Sequence, residues 1–186
     1  MNADKRKKLS REAYVIRKKL LETIQNAGSG HIGGSMSIAE ILSVLYFEEM
    51  KINPENPDMQ DRDRLVLSKG HCSPALYATL ALKGFCSIEH LSSFRNMESD
   101  LSGHVEIHVP GVDMSSGSLG QGLSVGLGMA LFAKNKGYKN RAFVILGDGE
   151  IQEGQIWEAA MAAGYFKADN LIALVDNNKI QLDGWL

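Results

Sequence analysis

Ala142-Phe143-Val144-Ile145-Leu146 runs into Gly147-Asp148-Gly149, and Leu171-Ile172-Ala173-Leu174-Val175 runs into Asp176-Asn177-Asn178-Lys179-Ile180. Two short apolar runs bounded by Gly and Asn read as fully buried parallel strands. The stretch Glu150 to Asn170 is long enough for a crossover helix between them. A right-handed crossover brings both strand ends to one edge of the sheet. Asp148 and Asn178, thirty residues apart, are therefore expected beyond the carboxyl ends of the strands, where α/β sheets bind ligands. An Asp carboxylate, an Asn amide oxygen and nearby loop carbonyls suit a hard divalent cation. Gly147 and Gly149 leave the backbone open to a phosphate at a helix N-terminus.

Outward from this pair, the pattern alternates helix and strand. Residues 10–26 read as an amphipathic helix with Ala13, Ile16, Leu20 and Ile24 on one face, ended by Gly28 and Gly30. Ser37 is expected to cap a second helix, with Glu40 completing a capping box. That helix carries Ile41, Leu42, Leu45 and Tyr46, and ends before Asn53-Pro54. Asn53 to Arg64 is polar, with two prolines, and reads as a surface loop. Arg64 to Ser68 reads as the first strand, residues 73–84 and 88–97 as helices, Asp100 to Ser118 as loop and Leu119 to Lys136 as a Gly- and Ala-rich helix suited to close packing. The order implies an α/β fold, a parallel sheet flanked by helices.

Composition sets the bounds. The chain has 186 residues, enough for one domain with a sizeable core. Hydrophobic content of 44% and charged content of 23% are those of an ordinary globular protein. A net charge of −2 gives no electrostatic case for nucleic acid or membrane binding. The basic run Lys5-Arg6-Lys7-Lys8 reads as a solvated helix face. No apolar stretch approaches the ~20 residues of a membrane span, and no signal-peptide pattern follows Met1. Cys72 and Cys86, without a CxxC, fit a reducing cytoplasm and read as small buried apolar residues.

Several residues carry competing readings. Asp148 taken alone is a turn residue, since Asp-Gly is a common turn pair. A dinucleotide fingerprint fails because its third glycine position is Gln152. His104 and His108 have zinc-pair spacing, but Gly103 and Pro110 argue against the helix such a pair needs. His90 sits in a helical pattern without further signal. His31, His71 and His104 each follow a glycine in an expected loop, and three such pairs at sheet edges are harder to dismiss as solvent-exposed. Glu153 and Glu158 alone read as a solvated helix face.

The GDG triplet followed about thirty residues on by Asn177-Asn178 resembles the thiamine diphosphate motif. With it go Ser29-Gly30-His31-Ile32-Gly33-Gly34, Asp61-Arg62-Asp63-Arg64, Leu67-Ser68-Lys69-Gly70-His71, Gly103-His104, Gly117-Ser118-Leu119-Gly120-Gln121-Gly122, Gly147 to Gly154 and Asn177 to Gly184. In this order they resemble the N-terminal part of transketolases, most of all the N-terminal subunit of two-chain transketolases. The resemblance runs from about residue 10 to Trp185, and residues 1–186 are taken as the thiamine diphosphate-binding domain of that type, incomplete at its C-terminal end.

The resemblance implies that Asp148 and Asn178 bind Mg2+ by side chain and Ile180 by its carbonyl. It implies diphosphate contacts at Gly147, Gly149 and His71, and cofactor support from Gly117 and Leu119. His31, His71 and His104 would line the substrate channel, and Glu153 and Glu158 would join an acidic cluster at a subunit interface, near the glutamate that activates the cofactor. The implied reaction is two-carbon ketol transfer between ketose and aldose phosphates. The implied partner is a C-terminal subunit carrying the pyrimidine-binding domain, in a dimer of heterodimers with apolar surface around Leu119, Ile156 and Trp157 covered. Ile32 and Val105 stand where many members have proline, which leaves the donor open. Rival readings are a deoxyxylulose-phosphate synthase-like enzyme, disfavoured by Glu153-Gly154-Gln155-Ile156-Trp157-Glu158-Ala159, and a truncated non-catalytic scaffold.

Overall fold

The computed structural model describes residues 2–182 and 184–185. A three-stranded parallel sheet, in the order β1 (Arg64–Leu67), β2 (Ala142–Gly147), β3 (Leu171–Asp176), lies between two helical layers. The register pairs Leu65 with Phe143 and Ile172, and Val66 with Val144 and Ala173. Alternation along the strands then sorts the core. Leu65, Leu67, Phe143 and Ile145 pack with α1 (Ala3–Ala27), α3 (Ala39–Val44) and α4 (Ser73–Lys83) on one face. Val66, Val144 and Leu146 pack with Leu123 of α5 (Gly122–Asn135) and with Ile156 and Ala159 of α6 (Gly154–Tyr165) on the other. The small-residue pattern of α5 has a direct cause: a Cβ on Gly126 would sit 2.3 Å from Val144 Cγ2. Among the described residues no helix is long and apolar enough to cross a membrane.

The first helix buries Ala13, Ile16, Leu20 and Ile24, as its periodicity requires, and ends at Gly28 in the left-handed region with φ 66°. Its start lies earlier than the apolar pattern, because the Asn2 side chain accepts the N–H of Lys5 at 2.8 Å and caps it. The expected capping box at Ser37 does not form. Ser37 instead closes a short α2 (Ile32–Ser37), and its hydroxyl lies 2.5 Å from Asp176 Oδ2. Glu40 pairs with Arg17. A buried carboxylate 139 residues away is a stronger acceptor than any local group, and local sequence does not reveal it.

Three further expectations change. The 88–97 segment is only a 3-10 turn, Glu89–Ser93, because Phe94 drops into the core and Arg95 reverses the chain at φ 62°. α5 starts at Gly122 because Gly120, at φ 91°, interrupts the preceding turn. β3 is not fully buried: Ala173 and Val175 are exposed, since among the described residues this strand has a sheet neighbour on one side only. Past β3 the chain forms a hairpin, β4 (Ile180–Gln181) against β5 (Gly184–Trp185).

The Asp61–Arg64 segment works at the opposite end of the sheet from the strand carboxyl termini. Arg62 and Arg64 both donate to the Asp113 carboxylate, whose side chain is buried, at 2.7 and 3.0 Å, and Asp113 also accepts the N–H of Leu65. Asp63 accepts from Arg141 and from the N–H of Lys51. This network ties the amino ends of β1 and β2 to the loops around them.

Candidate functional site

The glycine-histidine loops converge at the carboxyl edge of the sheet. The ring centroids of His31 and His71 are 5.2 Å apart, and those of His31 and His104 are 6.2 Å apart. Close backbone contact makes this convergence feasible. A Cβ on Gly70 would lie 2.4 Å from the carbonyl oxygen of Ser116, and the N–H of Val105 donates to Gly70 O. Gly117 stands against the His104 ring, where its Cβ would be 3.5 Å from Cδ2. The His104 carbonyl accepts from Tyr77 Oη at 3.0 Å and Ser102 Oγ at 2.6 Å, so its loop is held by backbone while the side chain stays exposed.

Two of the histidines are held neutral. Burial pushes His71 down to about 4, and the charge of Lys69 adds to the effect, followed by His31 and His104. His31 is also lowered, first by burial and then by Arg95 and His104. Neutral imidazoles offer one donor and one acceptor each, which suits proton handling at a hydroxyl or carbonyl group. Cys72, beside them, is fully buried, and burial raises its thiol to about 11, so it is inert packing. Cys86 is only half-buried.

Asp148 and the Asn178 loop meet as the strand-end argument requires. Gly147 pairs with Asp176 in the β2–β3 register, so both segments leave the sheet side by side. Asp148 is buried; its Oδ1 accepts the N–H of Gly149 at 3.0 Å and its Oδ2 that of Lys179 at 2.5 Å. Asn178 Oδ1 accepts the N–H of Ile180 at 2.9 Å, while its Nδ2 donates to Asp176 Oδ2 at 3.0 Å. Two lone-pair positions remain on the carboxylate and one on the amide oxygen. This set of hard oxygen donors fits a divalent cation. Gly147 and Gly149 precede a 3-10 turn, Glu150–Gln152, and then α6.

Three buried charged residues that sequence reasoning passed over organise the site. Glu150, 2% exposed, accepts from Ser68 Oγ, from the N–H of Gly120 at 2.8 Å and from the N–H of Gly147 at 2.9 Å. It thereby fixes the GDG loop against the Gly117–Gly122 turn. Lys69 and Asp176 form a buried ion pair at 2.5 Å. Burial opposes ionisation of Asp176, but hydrogen bonds from Lys69 and Ser37 outweigh it and keep the carboxyl below its ordinary value. The only sequence signal for all three is a charged residue directly abutting a strand end or glycine turn.

Other expected positions face solvent. Leu119, Glu153, Glu158 and Trp157 are exposed, with Glu153 at the N-cap of α6. Ile156 is core rather than surface: it packs with Val66 and Leu146 on the sheet. The face left open on α6 is instead Trp157, Met161 and Tyr165.

A family profile described as transketolase, thiamine diphosphate binding domain, matches residues 9–186. The chain is 53% identical over 178 residues to a 6-deoxy-6-sulfo-D-fructose transketolase subunit, SqwG, of Clostridium sp. (strain MSTE9), covering 95% of this chain and 65% of that one. It is 48% identical to an apulose-4-phosphate transketolase subunit of Phocaeicola vulgatus, covering 90% of this chain and 60% of that one. The crystal structure of transketolase from Campylobacter jejuni superposes with a TM-score of 0.91 at 39% identity, over 97% of this chain and 29% of that one. This chain thus spans under two thirds of these two relatives and under a third of the Campylobacter chain. Fold, ordered motifs and matches agree that the chain belongs to the transketolase family and carries its thiamine diphosphate-binding domain.

Proposed function

We propose that this chain supplies the diphosphate- and metal-binding half of a two-chain transketolase. Asp148 and Asn178, with the Ile180 carbonyl, would hold Mg2+, and Gly147, Gly149, His71, Gly117 and Leu119 would line the cofactor. The observation that carries this is the placement of two hard oxygen donors, Asp148 and Asn178, on adjoining strand ends beside three converging histidines. When bound there, thiamine diphosphate supplies the carbon nucleophile for moving a two-carbon ketol unit from a ketose to an aldose. His31, His71 and His104 orient the sugar and handle its protons, and Glu153 and Glu158 face the subunit that completes the site.

The substrate is proposed to be a ketose with an anionic far end, phosphate or sulfonate. Arg95 supports this: its guanidinium donates to Ser29 Oγ at 2.9 Å, and its charge reaches His31. The complementary subunit carries the pyrimidine-binding domain, and the names of the two subunit relatives support such a division. Calorimetry on the assembled pair, with and without Mg2+, tests the reading. Wild type should bind thiamine diphosphate in a metal-dependent way, and Asp148→Ala should abolish that binding, because one carboxylate carries most of the charge facing the cation. Equal affinity in both proteins would overturn the assignment.

A further inference from the structure

We infer that the buried Lys69–Asp176 pair is a positioning device that locks the Asn178 amide with its oxygen presented to the metal. The inference rests on the cofactor reading above and adds two residues to it.

Two carboxylates stand at neighbouring strand ends, and they are treated differently. Among the described residues, Asp148 accepts only from backbone N–H groups, those of Gly149 and Lys179. Asp176, 6% exposed, receives Lys69 Nζ at 2.5 Å, Ser37 Oγ at 2.5 Å and Asn178 Nδ2 at 3.0 Å, all on Oδ2. Lys69, itself 2% exposed, neutralises Asp176 and leaves the charge of Asp148 for the cation. Its ammonium reaches the site over Gly34, where a Cβ would lie 3.3 Å from Nζ and 2.8 Å from Cys72 Sγ.

An asparagine amide has two nearly isosteric orientations, and its neighbours decide between them. An ionised carboxylate accepts and cannot donate, so Asp176 requires Nδ2 to face it. Oδ1 is then turned toward the N–H of Ile180, with a lone pair left for a cation. A flipped amide would put an N–H2 group where the cation needs an oxygen. A buried ion pair gains little stability over an apolar pair of similar volume. Stability alone therefore does not account for placing one here, whereas orientation of a metal ligand does.

The test uses the assembled protein, with calorimetry of thiamine diphosphate in Mg2+ and a melting curve of each variant without metal or cofactor. Asp176→Asn should weaken metal-dependent binding by roughly 10- to 100-fold, the usual effect of losing a partner of a metal ligand. Lys69→Met combined with Asp176→Leu replaces the pair with apolar side chains. It should keep the metal-free melting temperature within a few degrees of wild type or raise it, yet show at least the same loss of affinity. If Asp176→Asn fails to fold, this double variant decides. A folded double variant with wild-type cofactor affinity would show the pair to be structural only and overturn the inference. Absence of metal-dependent binding in wild type would instead remove the cofactor reading, and the inference with it.

Discussion

The imidazoles of His31 and His71 meet edge to face, 5.2 Å apart at 60°, although they come from different loops. Burial disfavours the charged form of both rings, and the positive charges of Arg95 on His31 and of Lys69 on His71 add to it. The pair stays uncharged through the neutral range, which keeps both rings able to accept a proton.

That arrangement fixes an acid limb of stability. The folded-state value of His71 is about 4, against an ordinary ~6.5 in the unfolded chain. Between these values the unfolded chain binds a proton that the folded chain does not. The stabilisation is therefore complete above ~6.5 and is lost as pH falls toward about 4. Urea midpoints at pH 8 and pH 5 should differ less for His71→Asn than for wild type. Parallel loss in both would assign the limb to other groups.

The ring of His104 has a different status from its backbone. Tyr77 and Ser102 bond to the carbonyl, which a substitution retains, and the side chain is exposed. His104→Ala should leave the melting temperature within about 2 °C of wild type, as for most surface changes. Ketol transfer by the assembled enzyme should fall roughly 100-fold or more, the usual range for a proton-handling group. Normal turnover with a large drop in melting temperature would make the residue structural.

Sequence reading found what depends on short-range pattern. The strands, the crossover, the Asp148–Asn178 juxtaposition and the Gly-His loops all follow from apolar runs, their boundaries and motif order. It missed what depends on pairing across the fold. Ser37 reads locally as an N-cap, but Asp176 captures its hydroxyl. Glu150 reads as one more polar residue of a turn, yet it is buried because Ser68 and two backbone N–H groups surround it. Ile156 and Trp157 look alike in an apolar run, and only helical phase puts the first in the core and the second on the surface.

Glu150 allows a sharp stability test. Its partners all donate: Ser68 Oγ, Gly120 N and Gly147 N. Glutamine offers one acceptor oxygen, so its N–H2 group would face a donor in a buried space. Glu150→Gln should cost about 2–3 kcal/mol, within the range for a hydrogen bond to a charged group, and lower the melting temperature by roughly 5–10 °C. Glu153→Gln, at an exposed position nearby, should change stability by no more than about 0.5 kcal/mol. Equal effects in the two variants would contradict the buried-acceptor account.

The last expectation concerns the open face of α6. Trp157, Met161 and Tyr165 are spaced four apart, which aligns them on one helix face, and they are 58%, 69% and 81% exposed. Ile156 and Ala159, on the opposite side, hold the helix to the sheet. Contiguous exposed apolar surface is the mark of an interaction site, and under the proposed function this stripe is assigned to the subunit that completes the site. Interfaces between obligate subunits bury on the order of 2,000 Å² or more and are apolar at the centre. Met161→Lys with Tyr165→Lys would place two charges in that centre while leaving the α6–sheet contacts intact. Complex formation, followed by light scattering over a dilution series, should weaken at least about 100-fold, since each buried unpaired charge costs several kcal/mol. The melting temperature of the variant chain alone should stay within a few degrees of wild type, because both positions face solvent there. Assembly at wild-type affinity would show that the subunit contact lies elsewhere, and a collapse of the isolated chain's melting temperature would show that the stripe serves the fold.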